Sequence, residues 1–152
     1  MNTLKTIITT TILLFLTSTQ EVQGQTKEET IAWIKEKLEK YGGFIDNSLE
    51  SYYSDVQVNP CMISFMEKYN YTDGSVPSRF NPSSVKSWVV DGDRGYIKAD
   101  ANVISKIFSD DNKASMQSGL FLRNGESEIH ERMIKALLHL ATFCDEGKNE
   151  AF

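Results

Sequence analysis

Two cysteines, two histidines and a dense set of aromatics are the residues here whose types could do chemistry. Cys61 and Cys144 are the whole cysteine complement. In an exported chain, two thiols point to one disulfide between them. His130 and His139 fall on one helix, and at about 100° per residue their spacing turns them to opposite sides. A metal needs its ligands on one side of it, so neither a metal nor a cofactor is expected from this pair. Cys144 could serve as a nucleophile beside a histidine only in an accessible, electropositive pocket. It sits instead on the apolar stripe of its helix, as a packed or oxidised cysteine does. Asp91-Gly92-Asp93-Arg94-Gly95 has the look of a calcium loop, but the pattern needs glycine sixth and glutamate twelfth. Tyr96 and Asn102 stand there, so the segment reads as a hairpin turn. Asp110-Asp111 likewise reads as a turn and not as a glycosidase dyad. No glycine pattern matches a phosphate-binding loop. No catalytic, cofactor-binding or metal residue is assigned.

The aromatics carry the remaining chemistry. Alternation along strands leaves some of Tyr69, Tyr71, Trp88 and Tyr96 exposed, and an aromatic-lined groove can hold a peptide or a glycan. The plainer alternative is sheet packing, since aromatics favour strands anyway.

The elements that must position these residues follow from periodicity. Ser127 to Glu146 is the clearest amphipathic helix. Ile129, Met133, Leu137, Leu140 and Cys144 recur at steps of three and four along one face. At the other end, Thr26-Lys27-Glu28-Glu29 is a capping box that starts a helix running through Ile34 and Leu38 to Gly42-Gly43. Trp33 lies off its main stripe, placed to seal the helix edge against a neighbour. Between the helices the period falls to two. Tyr52, Val56 and Val58 share strand spacing. Cys61, Ile63 and Phe65 alternate with Met62, Ser64 and Met66. Val76 to Phe80, bounded by prolines, reads as an edge strand. Val85 to Val90 and Tyr96 to Ala101 form a hairpin, Val103 to Phe108 another strand, and Met116 to Leu122 the last. The fold class is α+β. An N-terminal helix precedes about seven antiparallel strands, in a bent sheet or open barrel, with the C-terminal amphipathic helix packed on it.

Residues 1–24 read as a cleavable export signal. Lys5 marks the n-region, Ile7 to Leu16 an apolar core, and Val22-Gln23-Gly24 the cleavage site before Gln25. The apolar run is shorter than the ~20 residues a membrane span needs. Residues 25–152 are then a single globular domain, secreted or periplasmic, with no membrane span after cleavage. Acidic residues outnumber basic ones by 21 to 16, for a net charge of −5. That balance disfavours nucleic acid as partner, since phosphates need a basic patch.

Strands followed by a closing helix resemble the pleckstrin-homology-like topology. Arg132 through Cys144 also resembles the closing helix of small exported bacterial proteins of unassigned function. The extra N-terminal helix leaves room for a helix-grip or cystatin-like arrangement. The functional expectation is an exported binding or interaction domain for a protein, peptide or glycan. The rival is a small hydrolase-like enzyme whose acid and base come from distant strands.

Overall fold

A computed structural model describes residues 25–46, 49–91, 95–107, 114–123 and 128–146. The expected export signal at 1–24, the turns expected at 92–94 and 110–113, Phe108 and residues 124–127 lie outside the described residues.

Helix α1 spans Lys27–Tyr41. The capping box forms at its start: the Glu29 amide donates to Thr26 Oγ1 at 3.2 Å, and the Thr26 amide to Glu29 Oε2 at 2.9 Å. The helix stops where the Gly42 amide donates to the Leu38 carbonyl at 2.8 Å. Gly43 then takes a positive φ of 117°. A Cβ there would stand 2.1 Å from the Ser51 carbonyl oxygen, so the chain can turn this tightly only at glycine.

The strands are β1 (Ile45–Asp46), β2 (Leu49–Asn59), β3 (Met62–Tyr69), β4 (Ser75–Phe80), β5 (Trp88–Asp91), β6 (Tyr96–Ala99), β7 (Ile104–Ile107), β8 (Ala114–Gln117) and β9 (Gly119–Phe121). They form a six-stranded sheet, β1-β2-β3-β4-β7-β8, and a three-stranded sheet, β5-β6-β9, with every pairing antiparallel. The two do not close into a barrel. The chain passes from one to the other at Ser118, so the run from Met116 to Leu122 is two strands and not one. Gly119 allows the crossing, because a Cβ there would meet the Ile97 carbonyl oxygen at 2.1 Å. The end of α1 is stitched to this seam. The Gly43 amide donates to the Phe121 carbonyl at 3.0 Å, and the Arg123 amide to the Tyr41 carbonyl at 2.6 Å.

Strand β2 departs from simple alternation. Asp55 has a φ of 52°, and the β2–β3 register shifts between Ser54 and Gln57. This bulge changes the side-chain parity. Tyr53 and Val56 are therefore both buried and Tyr52 is exposed, which corrects the expected face of Tyr52, Val56 and Val58. Strand β4 is not an edge strand either. It pairs with β3 along its whole length and with β7 at Ser78 and Arg79. Pro77 stands next in line and has no N–H to extend the β7 ladder. The expected strand from Val85 begins only at Trp88, after a short 3-10 turn at Pro82–Ser84, and its partner strand ends at Ala99, leaving Ala101 outside.

Helix α2 (Ile129–Glu146) buries Ile129, Met133, Leu137, Leu140 and Cys144. It packs on α1, the 3-10 turn and the smaller sheet. Trp33 does meet a neighbour: the Arg132 guanidinium lies 5.3 Å from its ring centroid, joining the two helices. Cys61 in the β2–β3 turn and Cys144 near the end of α2 stand at disulfide distance, with sulfurs 2.09 Å apart. One hydrophobic cluster draws on both helices and both sheets.

Candidate functional site

Three of the four aromatics expected at a binding surface come together at the seam between the sheets. Tyr71 lies 5.5 Å from Tyr69, measured between ring centroids, and Tyr69 lies 6.4 Å from Phe44. Phe44 is 5.5 Å from Phe121, and Phe121 is 4.5 Å from Tyr96. The five rings make one continuous row from the end of β3 to β6. Tyr71 is 62% exposed, while the other four are half-buried. Polar groups run beside them. The Tyr96 hydroxyl bonds Ser118 Oγ at 2.9 Å, the Asn70 side chain accepts from the Glu50 amide at 3.1 Å, and Arg123 pairs with Glu50 at 2.9 Å.

Trp88 does not belong to the row. It is 5% exposed and packs edge-on against Phe80 at 5.8 Å, so its expected place on a binding surface is corrected. The physical reason is the late start of β5, which turns Trp88 inward with Val85 and puts Val89 and Val90 outside. Sequence reasoning missed Phe44 and Phe121. Phe44 follows directly after the turn at Gly43. Phe121 alternates with the buried Leu120 and Leu122, and that alternation was a usable signal.

A buried polar network underlies one end of the row. Glu67 is 1% exposed on the inner face of β3. Its carboxylate accepts from Ser51 Oγ at 3.0 Å and from Lys106 Nζ. The Phe44 amide in turn donates to Ser51 Oγ at 3.2 Å. Burial raises the Tyr69 phenol well above its ordinary value, and the Glu67 charge and hydrogen bond raise it further. Tyr53, stacked on Phe65 at 4.1 Å, is raised more strongly, first by burial and then by Glu67. Serine, lysine and glutamate in one network have the types of a hydrolase. Ser51, however, is 0% exposed, so no substrate atom reaches its oxygen. The network instead holds Phe44 and Tyr69 in place.

The histidines lie elsewhere. His130 Nε2 is buried without a hydrogen-bond partner, and a Cβ at Gly95 would stand 3.2 Å from it. His139 Nε2 bonds the Gln25 carbonyl at 2.9 Å. Among the described residues, no three of His, Cys, Asp or Glu gather as a metal site would need, and no helix is long and apolar enough to cross a membrane.

No protein-family model matches the chain, and neither a curated protein nor a solved structure matches it.

Proposed function

We propose that this is an exported binding domain that holds a neutral glycan along the row from Tyr71 to Tyr96. The observation that carries the reading is the row itself, five successive rings beside hydroxyl and amide groups. Ring faces suit the C–H faces of sugars, and the neighbouring polar groups suit sugar hydroxyls. The flanking Arg123 and Glu50 neutralise one another, so a neutral, hydroxyl-rich ligand fits better than a charged one. Export rests on the leader pattern at 1–24 and agrees with the cysteine pair. The likeness of element order to pleckstrin-homology-like domains supports a binding role by analogy only.

The test is titration of neutral oligosaccharides into isotope-labelled protein. Saturable amide shifts at Phe44, Tyr69, Tyr71 and Tyr96, lost in Tyr71→Ala, are expected. Binding of aromatic peptides alone, or no shift at these residues with any sugar, discards the reading.

A further inference from the structure

A second surface, remote from the aromatic row in character, lies on the outer face of β2, β3 and β4. Its register sets three side chains in a line across the strands: Gln57 is paired with Ser64, and Ser64 with Arg79. In the next row Ser54 is paired with Met66, and Met66 with Pro77. Between these rows the bulge at Asp55 turns its side chain outward next to Ser54, whose Oγ donates to Asp55 Oδ2 at 3.1 Å. Asp55, Gln57, Ser64, Met66, Pro77 and Arg79 line a groove of about 380 Å³.

The two charges in this groove, Arg79 and Asp55, are not paired with each other. Arg79 is exposed and has no ion-pair or hydrogen-bond partner among the described residues. Asp55 stands two strands away, about 10 Å by the usual strand spacing, so the two cannot easily meet. The floor between them is apolar at Met66 and Pro77. Neutral donors and acceptors, Gln57 and Ser64, lie alongside.

We propose that this groove binds a short peptide of two or three small residues with both ends free. The carboxylate would take the Arg79 guanidinium, which suits it in bidentate geometry. The ammonium would take Asp55. Two or three extended residues span about 7–10 Å, which matches the separation of the two charged positions. The peptide amides would meet Gln57 and Ser64, and small side chains would lie on Met66 and Pro77. The groove volume sits at the low end for ligand pockets, so it excludes longer chains lying within it. The ligand runs across the strands and not along an edge, so it adds no strand to the sheet. The proposal is independent of the aromatic row.

The experiment titrates Ala-Ala-Ala into isotope-labelled protein and follows backbone amides. Saturable shifts at Gln57, Ser64 and Arg79 are expected, unchanged in Tyr71→Ala. Arg79→Gln should abolish them, and Asp55→Asn should weaken binding by about tenfold or more, as loss of a charge-assisted hydrogen bond does. Both side chains are exposed, and unchanged spectra elsewhere establish that the variants fold. Three results overturn the proposal: no saturable shift with Ala-Ala-Ala, shifts that survive Arg79→Gln, or equally tight binding of the peptide blocked at either end.

Discussion

Cys61, in the turn between β2 and β3, and Cys144, near the end of α2, have their Cα atoms 4.9 Å apart across a sequence separation of 83 residues. The pair ties the last helix to the β2–β3 turn of the large sheet, with which α2 shares little packing, since it lies mainly on α1, the 3-10 turn and the smaller sheet. A cross-link over so long a loop restricts the unfolded chain by roughly 4–5 kcal/mol in the chain-entropy model. The double variant Cys61→Ala/Cys144→Ala should therefore lose about 2–5 kcal/mol in urea unfolding. Thiol titration of the denatured, unreduced protein should find no free sulfhydryl; two free thiols would contradict the bond.

The organising stripe of α2 predicts a contrast. Leu137 is 0% exposed, and Leu137→Asp should abolish folding by burying an unpaired charge. Lys135 is exposed, and among the described residues no ion pair joins it to Glu131, although the spacing would allow one. Lys135→Asp should change stability by no more than about 0.5 kcal/mol. Circular dichroism and urea melts distinguish the two outcomes; equal damage would put the buried face elsewhere.

Glu67 and Lys106 make a third case. Lys106→Met leaves a buried carboxylate with only the Ser51 and Tyr69 hydroxyls and no cation, and should cost about 3–5 kcal/mol. Removing both charges in Glu67→Leu/Lys106→Met should cost much less than the single change, because no orphaned charge remains. A double-mutant cycle in urea reads the difference, and simple additivity would mean that the two groups do not interact.

Alkaline pH should expose the buried phenols. Tyr53 and Tyr69 keep their protons in the fold at pH values where an unfolded tyrosine, near 10.0, loses them. A folded value raised above the unfolded one stabilises fully below pH 10 and is lost as pH climbs toward the folded value. Urea midpoints should fall steadily above pH 10, and Tyr53→Phe should flatten that fall. A midpoint independent of pH in this range would show that both phenols titrate freely.

Processing offers a final measurement. Mass spectrometry of the exported protein should find a chain beginning at Gln25, the residue whose carbonyl is bonded to His139. A dominant product retaining Ile7 to Leu16 would remove the export reading.

Local chemistry explains why much of this architecture was legible in the residues alone. Capping at Thr26, the stop at Gly42-Gly43, the stripe of α2 and the β5–β6 hairpin all depend on neighbours within a few positions. Alternation even carried a warning that went unread. Glu67 continues the Ile63–Phe65 face and is as buried as they are. The pairing of Cys61 with Cys144 was legible for a different reason: a chain with two thiols and an export-like leader pattern has one bond to make.

Other features were decided only in three dimensions. The bulge at Asp55 moved Tyr53 inward and Tyr52 outward, and a parity change of that kind depends on the partner strand, not on the β2 sequence. The split at Ser118 sent one apolar run into two sheets, because the second half found β6 and the first found β7. Trp88 went into the core and Phe44 and Phe121 to the seam, since hydrophobic burial is set by which surfaces meet and not by residue type. The two candidate surfaces are products of the same step. A row of rings from four distant segments and a groove across three strands exist only once antiparallel register has placed them side by side.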